Sequence, residues 1–353
     1  MRIVYDNIIF SLQRAGGISV VWEHLLNHCL GKADISCLEY AGAAKNLSRK
    51  SLVVPAEDIV VKSLTPRVAE LFSPGVPSRP EAHFIFHSSY YRICNNPKAI
   101  NVTTVHDFIY EYVRPTVKQR LRKALNYRAI RKSDAIVCVS ENTRRDLLKF
   151  IPEIDTSKIT VIHNGVSETF HKLATRPFAE YAEYVLFVGG RSGYKNFRFI
   201  VEALAGTKFK LLICGKPLSK SEKRMLDAQL PDRCRSIVFP STEELNRIYN
   251  SVYALVYPSA YEGFGLPIPE AQRAGCPVIA LGTSSVPDVA GNGAILLDTL
   301  TQENIAEALE RLADREYRTD LVERGHANSQ RFSWKSMAES YLKLYERLLK
   351  AAR

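Results

Sequence analysis

Short apolar runs of strand length alternate with stretches of helical period along the whole chain. Apolar runs without polar alternation are typical of strands that are buried on both faces of a parallel sheet. In the first half the predicted strands are 3–5, 83–86, 101–105, 135–139 and 159–162. In the second half they are 184–188, 210–214, 236–239, 253–257, 277–280 and 294–297. The pattern predicts an α/β fold with helices on both faces of each sheet.

The length of 353 residues suits two domains better than one hydrophobic core. Residues from about 167 to 183 have mixed polar character and no sustained period, and we place the interdomain linker there. The tail, 334–349, is predicted to be a helix with one apolar stripe. The stripe consists of Met337, Tyr341, Leu344, Tyr345 and Leu348.

No apolar run in the sequence approaches the roughly eighteen residues of a membrane span. The first residues, Met-Arg-Ile-Val-Tyr-Asp, are typical of a strand and not of a signal peptide. We therefore expect the protein in the cytoplasm.

The most distinctive segment, 257–271, reads Tyr-Pro-Ser-Ala-Tyr-Glu-Gly-Phe-Gly-Leu-Pro-Ile-Pro-Glu-Ala. Gly263 and Gly265 allow backbone angles and close ligand approach that other residues resist. With a proline at the first helical position, Glu262 falls on a strand-to-helix loop and Glu270 in the first helical turn. Carboxylates so placed can hold hydroxyl groups, while the N–H groups at the helix start favour an anion.

This Glu-x7-Glu spacing resembles the signature of family 4 of the nucleotide-sugar glycosyltransferases. Six other segments match in the order of the family, and together with the signature they cover nearly the whole chain. They are 16–19 (Gly-Gly-Ile-Ser), 104–107 (Thr-Val-His-Asp), 133–141, 161–166, 188–196 and 285–289. One such match would be weak evidence, whereas six in order are specific.

The resemblance implies the GT-B fold, in which two Rossmann-like domains face each other across a cleft. In related enzymes the last helix crosses back onto the N-terminal domain. On that basis the N-terminal, acceptor-side domain comprises 1–168 with about 334–353. The C-terminal, nucleotide-sugar-binding domain comprises 169–333. Since open α/β sheets bind ligands beyond the carboxyl ends of their strands, we expect the motif residues there.

The implied activity is that of a retaining hexosyltransferase in bacterial surface-polysaccharide synthesis, lipopolysaccharide included. GDP-mannose is the favoured donor, and a lipid-linked glycan is the favoured acceptor. In such enzymes the acceptor hydroxyl is thought to attack the face that the diphosphate leaves, so no protein nucleophile is needed. No Asp-x-Asp occurs in the sequence, and neither a metal nor another cofactor is expected.

Two cations are candidates for stabilising the diphosphate that leaves during the reaction. Lys195 follows a strand that ends in glycines, and it is the first candidate. Arg191 can offer a forked set of donors and is the second. In the family an arginine usually stands at the position of Gly190, so Arg191 is displaced by one residue. Exposed loop cations without a role are the alternative.

Gly16 and Gly17 precede a predicted helix, and there the backbone amides can approach phosphates without interference from a Cβ atom. By resemblance this loop closes over the diphosphate from the opposite domain. His106 ends a predicted strand beside Asp107, and by resemblance it contacts the donor sugar. A histidine that is satisfied by its neighbouring aspartate is the alternative.

By resemblance Glu262 meets hydroxyl groups of the transferred sugar, and Glu270 meets the ribose diol. A pair of carboxylates can also indicate hydrolysis, but a hydrolase places its pair on opposite sides of the bond, not on one short segment. The other expected donor contacts are Lys216, Pro240, Gly263, Phe264, Gly265, Leu266, Ser284 and Ser285.

The formal charge of +11 is concentrated between 114 and 150, where eleven basic residues face three acidic ones. Residues 116–132 are predicted to form an amphipathic basic helix. Its apolar face would consist of Val117, Leu121, Ala124 and Leu125. Attraction to anionic lipid would place the enzyme peripherally on the inner face of the cell membrane. A solvated helix surface is the alternative.

Two other functions remain open at this point. A sugar-nucleotide epimerase on the same fold would need an acid/base pair that we do not find in the sequence. A non-catalytic basic protein that binds nucleic acid or membrane would use 114–150, but it leaves the Glu262 to Glu270 segment unexplained. For that reason nucleic acid is not an expected partner.

Overall fold

The computed structural model describes residues 1–75, 82–113, 116–191 and 193–352, except the side chains of Arg67 and Lys118. Its contacts divide the chain into two compact units, Met1–Gly165 with Ser333–Arg353 and Val166–Phe332. The sequence analysis placed the boundaries after residues 168 and 333. Within the described ranges, no helix is both long and apolar enough to cross a membrane.

The first unit is built on a parallel sheet of seven described strands. They are β1 Arg2–Asp6, β2 Asp34–Tyr40, β3 Ile59–Lys62, β4 Phe84–Ser88, β5 Ala99–Val105, β6 Ala135–Cys138 and β7 Ile159–Val161. The order in the sheet is β3-β2-β1-β4-β5-β6-β7, so the strand order reverses between β1 and β4. The central strands β1 and β4 are almost wholly buried, which explains the apolar runs Ile-Val-Tyr and Phe-Ile-Phe within them.

Helices connect these strands. They are α1 Ile9–Leu12, α2 Gly17–Cys29, α3 Leu47–Ser51, α4 Pro66–Ala69, α5 Ile109–Tyr112, α6 Val117–Lys132 and α7 Glu141–Phe150. Polar residues start several of them, since Thr116 and Gln119 form a capping box on α6 and Ser140 accepts the Thr143 N–H on α7.

The second unit is built on a parallel sheet of six described strands. They are β8 Tyr184–Val188, β9 Lys210–Gly215, β10 Cys234–Val238, β11 Ala254–Tyr257, β12 Val278–Leu281 and β13 Ile295–Leu297. The order is β10-β9-β8-β11-β12-β13, and the reversal lies between β8 and β11. These two strands pair through Leu186 and Leu255.

The helices of the second unit also follow the strands in turn. They are α8 Phe197–Ala205, α9 Lys220–Gln229, α10 Thr242–Tyr249, α11 Pro267–Arg273, α12 Val286–Ala290, α13 Gln302–Arg311 and α14 Arg315–Ser329. α11 begins at Pro267, and Gly275 follows its end with a φ of +77°, as the sequence predicts.

The last helix, α15 Trp334–Ala351, packs on the first unit. Its buried stripe includes Met337, Tyr341, Leu344 and Tyr345, which join the core formed by α2 and the sheet. Tyr345 also bonds to the buried His87 of β4, with 2.6 Å between the hydroxyl and Nδ1.

All eleven predicted strands occur, each within two residues of its predicted ends. β2 and β3 are missing from the sequence analysis. β3 lies at the edge of the first sheet and is only partly buried, so its apolar signal is weak. β2 contains two acidic residues among its seven, and they interrupt its apolar run.

Candidate active site

Two loops meet at the carboxyl edge of the second sheet, where the strand order reverses. One follows β8 and carries Lys195, and the other follows β11 and carries Glu262. Because β8 and β11 are neighbours, the two loops lie side by side although 67 residues separate these side chains in the sequence. Open α/β sheets bind ligands at such a point. The fold therefore brings together the two residues that the sequence analysis places at the diphosphate and the sugar.

The ammonium of Lys195 forms an ion pair with the carboxylate of Glu262. The two side chains are 16% and 13% exposed, so the pair is sheltered but still reachable from solvent. The Tyr257 hydroxyl lies 3.5 Å from the ammonium, and the rings of Tyr194 and Tyr257 flank it at 5.4 and 5.5 Å. Sequence reasoning missed Tyr257, although its place at the end of the strand before the motif was a signal.

The turn that presents the ammonium is fixed by hydrogen bonds to the neighbouring loop. Gly193–Lys195 form one 3-10 turn, and Asn196 follows in the left-handed region with a φ of +51°. The Asn196 amide donates to the Pro258 carbonyl at 2.9 Å, and the Ala260 N–H donates to the Tyr194 carbonyl at 2.8 Å. These bonds between the loops set the separation of cation and carboxylate.

Two serines that follow β12 hold the loop that carries Glu262. The Glu262 N–H donates to the Ser284 hydroxyl at 2.8 Å, and the Ser285 hydroxyl donates to the carbonyls of Glu262 and Phe264 at 3.0 and 3.1 Å. Ser285 is fully buried, so the prediction that it lines a ligand pocket is wrong. Both serines support the backbone of the loop.

The glycine-rich turn after Glu262 has one aromatic side chain, and it points into the core. Phe264 is 4% exposed and meets Phe332 edge to face, with the ring centroids 5.3 Å apart. The ring of Phe264 therefore serves the core, and a contact of this residue with the donor stays a prediction that concerns its backbone. Gly265 has a φ of +91°, which glycine adopts without strain, and it turns the chain into α11. Gly263 is buried, and Leu266 is the half-buried N-cap.

Glu270 lies in the first turn of α11 and accepts a hydrogen bond from the Tyr249 hydroxyl at 3.3 Å. Burial raises the pKa of its carboxyl group to about 7, and the bond from Tyr249 offsets part of that effect. The carboxyl group therefore holds its proton more readily than that of an exposed glutamate. Tyr249, which is fully buried at the end of α10, was not singled out by the sequence analysis.

Arg191 forms contacts that differ from its predicted role. Its guanidinium pairs with Glu222 at 2.6 Å and donates to the Pro217 carbonyl at 2.8 Å, and its side chain is 6% exposed. The hydrogen bond from Arg191 is the main cause that lowers the pKa of Glu222 to about 2. These contacts hold the loop after β8 against α9. The buried Nη1 of Arg191 has no partner among the described residues, and its predicted contact with phosphate stays a prediction.

Two further predicted contacts also lie at the carboxyl edge of the second sheet. Lys216 follows β9 and is exposed, and Pro240 follows β10 and is half-buried. The Phe239 N–H donates to the Gly215 carbonyl at 3.0 Å, which keeps the ends of β9 and β10 aligned. Both residues are therefore placed where a ligand of this sheet edge could reach them.

In the first unit, His106 lies where β5 ends. Its backbone N–H donates to the Tyr91 hydroxyl at 3.2 Å. Burial lowers the pKa of its imidazole to about 4, so the ring is neutral at physiological pH. Among the described residues we find no hydrogen bond to this ring, and Asp107 accepts the Ile109 N–H at 3.1 Å. The alternative in which Asp107 satisfies the ring has no support.

His106 shares a cavity of about 220 Å³ with the loop before α2. Gln13 and Ile18 line the cavity from either side of Gly16 and Gly17. A Cβ atom on Gly16 would lie 2.6 Å from the Gln13 side-chain oxygen, so glycine lets that side chain fold over the loop. The first unit thus brings the predicted glycine loop and His106 to one cavity.

The basic stretch 114–150 carries less uncompensated charge than the sequence indicates. Arg114 lies outside the described residues, as does the side chain of Lys118. Ion pairs between described residues include Arg122–Glu70, Lys123–Glu111, Arg131–Glu153 and Arg144–Glu141. Val117 and Leu121, two residues of the predicted apolar face of α6, are 82% and 54% exposed.

Two family models match the sequence. Residues 81–170 match the model of Glycosyltransferase Family 4, and residues 172–328 match the model of Glycosyl transferases group 1. The two matches meet close to the boundary between the units, and together they cover more than half of the chain.

Relatives and solved structures agree with these matches. The O-antigen chain mannosyltransferase B of Escherichia coli is 26% identical over 271 residues, which are 70% of each protein. The O-antigen chain mannosyltransferase RfbU of Salmonella typhimurium is 27% identical over 222 residues, 60% of this chain and 61% of RfbU. Sucrose-phosphate synthase from Thermosynechococcus elongatus superposes with a TM-score of 0.76 and 18% identity, over 99% of this chain and 100% of that one. This likeness shows the fold, which is the GT-B fold with its two Rossmann-like domains.

Proposed function

Because this chain belongs to glycosyltransferase family 4 and is a nucleotide-sugar-dependent glycosyltransferase, we propose that it moves a hexose to a glycan hydroxyl with retention of anomeric configuration. The alternative of a non-catalytic basic binding protein is thereby wrong. Both family models and both relatives described above are transferases, which favours transfer over epimerisation.

The ion pair of Lys195 and Glu262 at the reversal of the second sheet is the observation that carries the proposal. When the bond between sugar and diphosphate breaks, negative charge grows on the leaving phosphate, and a positioned cation stabilises it. An ammonium group has three N–H donors, so Lys195 can serve phosphate oxygens while it keeps its bond to Glu262. The carboxylate orients the cation, and its other oxygen can accept hydrogen bonds from sugar hydroxyls.

Glu270 and His106 supply hydrogen bonds to the ribose and the sugar in this proposal. Glu270 accepts hydrogen bonds from the ribose diol, most strongly when its carboxyl group is ionised. His106 is neutral above a pH of about 4, so its ring offers one donor and one acceptor to the transferred sugar. Lys216 and Pro240 lie at the same sheet edge as Glu270 and are proposed as further donor contacts.

In the proposed reaction the bond between the anomeric carbon and the phosphate oxygen breaks, and a bond to the acceptor oxygen forms on the same face. The acceptor hydroxyl gives its proton to the leaving phosphate oxygen. No protein nucleophile takes part. Lys195 supplies positive charge at the phosphate, so we propose that turnover needs no metal ion, and activity should persist in EDTA.

Mannose is the proposed sugar, GDP-mannose is the proposed donor, and a lipid-linked glycan of a bacterial surface polysaccharide is the proposed acceptor. Support comes from the names of two bacterial relatives, both O-antigen chain mannosyltransferases. Helix α6 adds a second argument, because Arg120, Arg128 and Lys132 are exposed on it beside Val117 and Leu121. A surface of this kind suits the anionic inner face of a cell membrane.

The test measures binding and turnover with the purified full chain. GDP, UDP, ADP and dTDP are compared by thermal shift, since a ligand at about a hundred times its dissociation constant stabilises a protein by about 2.7 kcal/mol. We expect GDP to give the largest shift and GDP-mannose to release GDP slowly in water. A response to none of the four nucleotides, with no release from any of their sugars, would overturn the proposed function.

A further inference from the structure

The first unit contains a second and much larger cavity, with a volume of about 1080 Å³. It opens beside the loop after α1, the turn before α3 and the starts of α4 and α6. A volume of this size accommodates a ligand larger than one sugar ring. We call it the basic cavity, after the cations that line it: Arg14, Lys45, Lys50 and Arg122.

The charged side chains that line the basic cavity are all positive. Four cations line it, and no carboxylate is among its lining residues. Lys45 and Lys50 are exposed, and within the described part of the chain neither has an ion-pair partner. Arg122 pairs with Glu70 through one terminal nitrogen at 3.0 Å, while its buried Nε has no partner among the described residues. Such a lining attracts an anion and disfavours a cation.

The cations are carried on a frame held by hydrogen bonds. The Leu47 N–H donates to the Arg14 carbonyl at 2.9 Å, and the Asn46 amide donates to the Gln13 carbonyl at 2.8 Å. Asn46 also caps α3 by accepting the Arg49 N–H at 3.0 Å. The segments that bear Arg14, Lys45 and Lys50 are therefore joined through Asn46, which favours a preorganised anion site.

The basic cavity adjoins the cavity of His106. Leu12, Gln13 and Arg122 line both, so a ligand seated against the lysines can extend along these residues toward His106. An acceptor needs such a path if, as proposed above, His106 contacts the transferred sugar, because the reacting hydroxyl must reach that sugar. The proposed function assigns the diphosphate of the donor to Lys195 of the second unit.

We propose that the basic cavity binds a phosphate or diphosphate group of the acceptor through Lys45, Lys50 and Arg122. This proposal rests on the proposed transferase function and names the class of its acceptor, an anionic phosphorylated glycan. The phosphate fixes the acceptor at one end, and the hydroxyl at the other end is presented beside His106. A neutral glycan of equal length would lack this anchor.

The test compares Lys45→Gln/Lys50→Gln with a matched control, Lys98→Gln/Lys335→Gln. The control removes the same charge from exposed positions of the first unit that do not line the cavity. Binding to the full chain is measured by calorimetry with three probes: inorganic pyrophosphate, farnesyl diphosphate and the neutral octyl α-mannoside. We expect the cavity variant to bind both anionic probes about tenfold or more weakly than the control, because a hydrogen bond to a charged group is lost. Binding of octyl α-mannoside should not change.

The probes also distinguish the source of the phosphate. Farnesyl diphosphate that binds more tightly than pyrophosphate identifies a lipid-linked diphosphate, and equal affinities identify a soluble phosphorylated acceptor. Equal binding of the anionic probes by the cavity variant and the control would overturn the proposal. A variant that loses GDP affinity instead would overturn it too, by assigning the cavity to the donor.

Release of GDP from GDP-mannose in water separates this proposal from the proposed function. The cavity variant should hydrolyse the donor as the control does, because Lys195 and Glu262 are untouched. If neither protein hydrolyses any nucleotide sugar, the transferase assignment fails, whereas the binding data still report on the cavity.

Discussion

The carboxylate of Glu262 holds the ammonium of Lys195 at the carboxyl edge of the second sheet. One residue belongs to the turn after β8 and the other to the loop after β11, so the pair spans the reversal of strand order. The hydrogen bond that Asn196 donates to Pro258 and the one that Ser284 accepts from Glu262 hold the two loops in place. A cation placed in this way needs little reorganisation when charge develops on a leaving phosphate.

Gly165→Ala is expected to destabilise the first unit. A Cβ atom there would lie 2.2 Å from the backbone nitrogen of Trp334 and 2.5 Å from its Cα, at the start of α15. Backbone cannot move aside as a side-chain end can, so we expect a loss of about 2 kcal/mol or more in urea unfolding. Gly206→Ala is the control, because nothing lies within 4 Å of its added Cβ. Equal stability of the two variants would contradict this packing.

Glu270→Gln should change how stability depends on pH. The carboxyl pKa is about 7 in the folded protein against an ordinary value of 4.5. The folded state therefore holds the proton more tightly, and this contribution is complete below pH 4.5 and is lost as the pH rises through 7. Relative to the wild type, Glu270→Gln should gain about 2 to 3 kcal/mol between pH 4.5 and pH 8 in urea unfolding. Glu307→Gln, at an exposed position, is the control. If the difference in unfolding free energy between Glu270→Gln and the wild type stays constant with pH, the burial of the Glu270 carboxyl group is refuted.

Arg191→Ala and Glu222→Gln should behave alike. Each removes the sheltered ion pair, and we expect each to cost about 1 to 3 kcal/mol at pH 7. The pKa of Glu222 is lowered to about 2, so the stability from this pair is present above pH 4.5 and is lost as the pH falls toward 2. The KM for the donor should change less than about twofold in both variants, since the pair supports a loop. A large rise in the KM of Arg191→Ala, without a similar rise in Glu222→Gln, would instead support the predicted contact of Arg191 with phosphate.

Arg120→Gln/Arg128→Gln should weaken binding to vesicles of phosphatidylglycerol and phosphatidylethanolamine by about thirtyfold, since each basic residue contributes about 1 kcal/mol near such a surface. Lys223→Gln/Arg315→Gln removes the same charge from exposed sites of the second unit. Co-sedimentation at low salt measures both. A control variant that loses as much binding would show that net charge, and not α6, directs the protein to lipid.

The sequence foretold both sheets because their central strands are buried on both faces and read as apolar runs. It also placed Glu262, Glu270 and Lys195, since prolines and glycines mark where strands end and helices begin. The edge strand β3 was not predicted, because a half-exposed strand lacks the apolar run that marks a buried strand.

Side-chain partners were harder to foresee than positions. The place of Arg191 after a strand suggested a phosphate ligand, but its guanidinium forms an ion pair with Glu222 of α9. A single sequence does not show which helix packs against the loop after β8. Phe264 and Ser285 sit in the motif but face inward. Ion pairs with distant residues such as Glu70 likewise reduce the charge that the local sequence of α6 indicates.

The most direct test of the account is the rate of mannose transfer from GDP-mannose by Lys195→Ala, with Lys223→Ala, an exposed lysine of α9, as the matched control. Loss of a positioned charge at the leaving group should lower kcat by about a hundredfold or more, as for other groups that stabilise developing charge. The control should retain full activity and stability. Lys195→Ala loses a sheltered ion pair, which should cost about 1 to 3 kcal/mol in urea unfolding, so both variants are assayed under conditions in which they remain folded. Transfer by Lys195→Ala at the rate of the control would contradict the central claim that this ammonium absorbs the charge of the leaving diphosphate.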